Sequence, residues 1–173
     1  MRKTFVLLGL LALALPVAGY AALRAGEGTL SVDDGRGSVT VQARGGVIGR
    51  LERGSVTIFD LTPDDDNVPV VIGDDRPWRF IGETGVRYAG SGIRYRVIGG
   101  SFRVVVSGRG IDLSAVGKGH VIINGDGVDP GVYSLDGSDC RLDADTCKPL
   151  PAVPRRFQLG VTDRPETPAR DGG

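Results

Sequence analysis

Gly37-Ser38-Val39-Thr40-Val41, then Gly45-Gly46-Val47-Ile48, then Gly54-Ser55-Val56-Thr57-Ile58: short β-branched runs are cut by glycine every eight to ten residues. The pattern returns as Gly100-Ser101-Phe102-Arg103-Val104, Gly110-Ile111-Asp112-Leu113 and Gly119-His120-Val121-Ile122-Ile123. Alternating apolar and polar residues bounded by turn formers are the signature of closely spaced strands joined by tight turns. The two arrays lie over each other at an offset of 63 to 65 residues, which puts Gly37 on Gly100, Gly46 on Gly110 and Gly54 on Gly119 and suggests a duplicated β unit.

Outward from these arrays the chain stays β-rich. Thr29 to Val32, Val68 to Ile72, Trp78 to Ile81, Val86 to Tyr88, Ile93 to Ile98, Val132 to Leu135 and Arg156 to Leu159 all read as strands. No window beyond the first residues has an apolar stripe at helical spacing. Pro69 marks its strand as an edge, because proline cannot donate to a ladder. The expected fold is all-β, an antiparallel β-sandwich or small barrel with two duplicated halves, and its rival is a β-solenoid.

The 173 residues, 40% of them hydrophobic, suit one domain with a real core. Basic and acidic residues number 21 each, which removes the net positive field of a general nucleic-acid binder. Arg2-Lys3 followed by the apolar run Phe5 to Leu15 and by Pro16 has the layout of an export leader. Gly19-Tyr20-Ala21 places small residues where a signal peptidase reads. The expected division is therefore a signal peptide over 1–21, one β domain over 26–160 and a disordered tail over 161–173. Retention of the leader as an N-terminal anchor is the alternative to cleavage after Ala21. The expected location is secreted or extracytoplasmic. Cys140 and Cys147 are the only cysteines, and an even count in an exported chain predicts one disulfide that fixes a local loop.

The sharpest site reading comes from register. A two-residue turn at Gly99-Gly100 would pair Arg96 with Arg103, and a four-residue loop over 89–92 would pair Arg87 with Arg94. Alternation then sends Val86, Tyr88, Ile93, Tyr95, Val97, Phe102 and Val104 to one face and gathers Arg87, Arg94, Arg96 and Arg103 on the other. Such a face is either balanced by acids such as Asp74 or Asp75, or open to an anionic ligand. An outward charged face on a strand is common, and salt bridging to neighbours is its plain explanation.

Other candidates are weaker. The acidic stretches Asp64 to Asn67 and Asn124 to Asp129 offer oxygen ligands for calcium, but neither completes an EF-hand loop, and turn chemistry explains both. His120, the single histidine, has no nucleophile motif to serve, and a solvated strand histidine is its default reading. Asp60, Glu83, Asp112 and Asp126 give too many carboxylate pairs to single out a glycosidase. Trp78, Tyr88, Tyr95 and Tyr133 would suit a sugar platform, but large aromatics in a β domain more often fill the core. No cofactor or metal is expected, and no catalytic residue is assigned.

In its leader, its Gly-Ser-Val-Thr-Val array and its Cys140 to Cys147 loop, the chain resembles uncharacterised secreted β-rich proteins of GC-rich bacteria. That resemblance implies no family function. The expectation is a non-enzymatic binding or structural module of the cell envelope whose arginine-rich face meets an anionic polymer or a lipid headgroup. A small secreted hydrolase acting on glycan or peptide is the alternative, and docking on another exported protein through a sheet edge is a third. Nucleic acid is not expected, and membrane contact would come only through an uncleaved leader.

Overall fold

The computed structural model describes residues 28–74 and 78–160, except for the Asp74 side chain, so the expected leader and tail, with Asp75, lie outside the described residues. The described elements are β1 (Thr29–Asp60), β2 (Val70–Asp74), β3 (Trp78–Ile81), β4 (Gly85–Gly125), β5 (Val132–Ser134), a 3-10 turn (Ala144–Thr146), β6 (Lys148–Pro149) and β7 (Arg155–Leu159). Apart from the 3-10 turn, the elements of the described residues are all β, and every ladder among them is antiparallel.

β1 and β4 are 32 and 41 residues long, far beyond an ordinary strand of five or six residues. Each is a string of short strands that turn a corner at glycine. Most of β1 is hydrogen-bonded on both edges, to two separate segments of β4: Val39 faces Val106 on one side and Ile123 on the other. Following the ladders across gives two sheets. One runs β7, 117–125, 37–45, 101–109, 53–60, 85–91, β3; the other runs β6, β5, 29–35, 111–116, 46–51, 93–98, β2. Both long strands therefore step from one sheet to the other at every corner.

The inner faces of the two sheets share one core. Val39, Val41, Val56, Val104, Val106, Val121 and Ile123 from the first sheet cluster with Leu30, Val32, Val47, Leu51, Ile93, Ile111 and Leu113 from the second, all buried. Burial of each such side chain contributes roughly 1.5–3 kcal/mol. The period of two in these runs holds alternate residues inward. The architecture is an antiparallel sandwich, and the sheets do not close into a barrel. Successive segments do alternate between layers as solenoid coils would, but each ladder joins one long strand antiparallel to the other or to a short flanking strand.

The corners explain the glycines. Gly54 pairs with Gly108 and Gly45 with Gly117, so both backbones turn at the same level. A Cβ on Gly54 would lie 2.8 Å from the Cα of Gly108 and closer still to the Ser107 carbonyl, at a φ of 148° that side chains rarely adopt. Only glycine on glycine lets the two strands bend together there.

The ladders have a two-fold pattern. Shifting residues 29–45 and 53–60 by 63, or residues 46–51 by 64, carries many of the β1–β4 pairs onto other such pairs. Thus Val39 against Val106 maps onto Phe102 against Ala43, and Leu30 against Ala115 onto Ile93 against Leu51. The sequence overlay is right for the first two segments and differs at the third. Gly54 corresponds to Gly117, not Gly119, because Gly117 packs on Gly45 as Gly54 packs on Gly108.

The hairpin register expected at 85–107 is not formed. Ile98 lies beside Gly46 and Ser101 beside Arg44, so Gly99-Gly100 carries β4 between sheets instead of folding it back on itself. The 89–92 stretch does likewise. Each segment finds a partner on both edges in β1 or a flanking strand, and a local hairpin would leave those ladders unmade. Alternation within segments survives this change, and Ile93, Tyr95, Val97, Phe102 and Val104 are buried as expected, with Val86 and Tyr88 only half-buried near the edge.

Candidate functional site

The corner at Gly99-Gly100 separates the four arginines. Arg94 and Arg96 stand on the outer face of the second sheet, and Arg87 and Arg103 on that of the first. The two pairs have different surroundings. Arg87 donates to Ser55 Oγ at 3.1 Å, and the Arg103 guanidinium lies 4.1 Å from the centre of the Phe59 ring, a cation–π contact. Arg94 and Arg96 are exposed, and no carboxylate of known position ion-pairs with either.

Arg94 and Arg96 line a groove of about 710 Å³, the size of a small-molecule site. The groove runs over the outer face of the second sheet, and its floor can be read off the ladders. Across one line stand Ile72, Arg94, Arg50 and Asp112; across the next stand Val70, Arg96, Ile48, Ser114 and Ser31. Alternation dictates this: their neighbours Ile93, Tyr95, Val47, Leu51, Ile111 and Leu113 all point inward. The residues Gly137, Ser138, Asp139 and Arg141 close the far side.

That wall is built by the disulfide, which forms between Cys140 and Cys147 with Cα atoms 5.8 Å apart. Cys140 is buried, and its N–H donates to Ser31 Oγ at 3.3 Å, pinning the loop to the groove floor. Asp136 accepts hydrogen bonds from the Ser134 hydroxyl and the Ser138 N–H, which hold its carboxyl down at about 2 and brace the start of the same loop.

Arg50 and Asp112, 62 residues apart in sequence, form an ion pair between adjacent segments. Burial works against the charge on Asp112. The Asp34 N–H, donating at 2.9 Å, and the Arg50 guanidinium more than offset this and hold the Asp112 carboxyl below the usual range. Its neighbour Asp33 is shifted up, first by burial and then by sharing a hydrogen bond with Asp112 and feeling its charge. Asp112 thus neutralises Arg50, which faces Arg94 directly across the ladder, and relieves the repulsion between like charges there. Arg50 and Asp112 as a pair have no signature in local sequence. Only the two-fold overlay, taken as a pairing about Gly49 and Leu113, brings them opposite each other.

The remaining candidates fall into place around this groove or away from it. His120 is half-buried, with Gln42 and Gln158 as its cross-strand neighbours, and burial and the Arg156 charge push its pKa down. Asp65 accepts from the Thr62 hydroxyl at 2.7 Å and the Asn67 N–H at 2.9 Å, and Thr62 Oγ accepts the Ser101 N–H, so this acidic loop is a cap on the Gly99-Gly100 corner. Among the described residues no three acidic, histidine or cysteine side chains converge as metal ligands. The four aromatics do not form a platform: Tyr95 and Tyr133 are buried, Tyr133 packs on Phe157, and exposed Trp78 stacks edge-on with Phe80. The Tyr95 ring lies across Gly49, where any side chain would collide with it, and burial, with the Asp112 charge adding, drives its phenol pKa upward.

No family model matches the chain, and neither a curated protein nor a solved structure matches it.

Proposed function

We propose that this chain is a non-enzymatic binding module of the cell envelope, exported as its leader suggests, and that it holds an anionic ligand on the outer face of the second sheet. One observation carries this reading: Arg94 and Arg96 project side by side into a groove of about 710 Å³ with no ion-pair partner of known position. On a strand, side chains two residues apart stand roughly 6.6 Å apart, which suits two oxyanions or one bulky phosphate. Guanidinium groups bind such oxygens through paired N–H donors. Arg50, neutralised by Asp112, stands beside Arg94 without repelling it. The disulfide and the export leader agree with an oxidising compartment. Among the described residues no helix is long and apolar enough to cross a membrane.

A second reading, a small hydrolase of glycan or peptide, rests on Asp33 and Asp112, neighbouring carboxyls whose pKa values are pushed in opposite directions at one end of the groove. Against it, both oxygens of Asp112 already accept hydrogen bonds, from Asp34 N–H and Arg50. The binding reading is the stronger.

Titration with soluble polyphosphate tests it. Exchange of Arg94 and Arg96 together for serine should weaken binding at least about tenfold at low salt, and added salt should weaken the unmodified protein in the same way. Exchange of Arg87 and Arg103, already engaged on the other sheet, should change binding little. Equal loss from both double variants would mean that general surface charge, not the groove, attracts the anion.

A further inference from the structure

The outer face of the second sheet is not uniformly polar. Its line through Ile72, Arg94, Arg50 and Asp112 is charged, the next through Val70, Arg96, Ile48 and Ser114 is mixed, and the third is aliphatic: Ile98, Gly46 and Val116 lie side by side across three segments. Ile48, Ile72 and Ile98 are 55%, 61% and 55% exposed. Gly46, between Ile98 and Val116, has no side chain, and its position is open outward: a Cβ there would meet only the Val97 carbonyl, at 3.6 Å. The result is a trough with a backbone floor and two aliphatic walls, leading away from the arginines past Ile48.

A polyanion such as a wall polymer or an acidic glycan has no use for that trough, and exposed isoleucines in line with it carry a cost in water that a purely ionic ligand does not recover. A ligand with an oxyanion at one end and a hydrocarbon chain at the other satisfies both parts. We infer that this face binds a single-chain anionic amphiphile, an alkyl phosphate or fatty acid, with its head in the groove on Arg94 and Arg96 and its chain laid beyond the groove, over Gly46 between Ile98 and Val116. This rests on the anion reading of the same groove. The concave wall formed by 137–141 favours one molecule lodged lengthwise over a flat bilayer surface.

The trough can be filled without touching the arginines. Gly46 sits in extended backbone with ordinary room above it, so Gly46→Ile should fold, as circular dichroism and an unchanged melting temperature would confirm. Calorimetric titration of the oxidised full chain would use dodecyl phosphate below its micelle concentration, inorganic phosphate and dodecyl glucoside. Dodecyl phosphate should bind at least about tenfold more tightly than inorganic phosphate, since several buried methylenes each add to affinity. Gly46→Ile should remove that advantage and leave inorganic phosphate binding as it was.

Equal affinity for the two phosphates, or a Gly46→Ile variant that binds dodecyl phosphate normally, overturns the amphiphile while the anion site stands. Equal affinity for dodecyl glucoside overturns the role of the arginines, and the proposed function with it. Binding to anionic vesicles that Gly46→Ile leaves intact, with no binding of monomeric dodecyl phosphate, would replace a lodged ligand by surface adsorption. Should Gly46→Ile fail to fold, Ile98→Ser with Val116→Ser removes the walls instead, and the same comparison of phosphates decides.

Discussion

Segments 29–35 and 93–98 occupy equivalent places about the two-fold axis of the ladders, yet their outward residues have opposite chemistry. Ser31 and Asp33 on the first correspond to Arg94 and Arg96 on the second. Inward, the match is close: Leu30 and Val32 correspond to Ile93 and Tyr95, all buried. Each segment is flanked by a short strand, β5 beside 29–35 and β2 beside 93–98. On the first side the disulfide loop descends onto Ser31, and on the second Val70 and Ile72 stay exposed. The comparison teaches that the corners and the inward residues determine the fold twice over and leave the outer face free to differ. The groove exists because the halves are not alike there: one supplies a covering wall, the other supplies cations and aliphatic floor.

The largest effect is expected where the halves are most alike. Gly54→Ala places a methyl group against the Ser107 carbonyl and Gly108 at a backbone angle that disfavours side chains. Strain and overpacking together should cost about 3 kcal/mol or more. Gly117→Ala, at the equivalent corner, should cost a similar amount. Denaturant unfolding of the two variants checks this, and a pair differing widely in cost would mean that the corners are not equivalent.

A smaller effect tests the charged line between the halves. Asp112→Asn removes the charge that Arg50 pairs with and leaves a single amide oxygen where the Asp34 N–H and Arg50 each had a carboxylate oxygen, and hydrogen bonds to a charged group are worth roughly 1.5–3 kcal/mol. The pH dependence has a definite sign. Asp112 has a folded pKa below its ordinary 3.8, so its stabilisation is present above 3.8 and is lost as pH falls through the folded value. Asp33 is shifted up from 3.8, so its ionisation acts in the other sense: stability declines as pH rises from 3.8 through its folded pKa. The gap between the parent protein and Asp112→Asn should therefore narrow as pH drops below 3.8, and Asp33→Asn should be at least as stable as the parent at neutral pH. A gap independent of pH would remove the ionised Asp112 from the account.

Much of the scaffold was legible in the residues. Glycine spacing set the strand lengths, and alternation placed Ile93, Tyr95, Val97, Phe102 and Val104 inside. What could not be read was which way the chain goes at a glycine. Gly99-Gly100 has the composition of a hairpin, and the same two residues serve equally well to carry a strand from one sheet to the other; the choice depends on β1, some fifty residues earlier, offering both edges. That single ambiguity turned four arginines on one face into two pairs on opposite sheets. Arg50 and Asp112 were invisible for the related reason that a contact across antiparallel partners 62 residues apart leaves no local pattern.

The smallest effect on stability, and the sharpest on the comparison itself, comes from making the halves more alike. Ser114 is the two-fold counterpart of Arg50, is exposed, lines the groove and faces Ile48 and Ser31 across its ladders. Ser114→Arg adds a second guanidinium to the line that already holds Arg96. A surface exchange of this kind should shift stability by no more than about 0.5 kcal/mol. Its field acts on the same groove, so polyphosphate should bind several-fold more tightly at low salt, with the gain fading as salt rises and the Debye length shrinks. Charge alone would produce the same gain from an arginine on the first sheet; Thr40→Arg supplies that control, since Thr40 lies between Val105 and Ile122 on the outer face of the first sheet. Equal gains from the two variants would make the anion site a property of net charge. A gain confined to Ser114→Arg would locate it in the groove, at the place where the two halves part company.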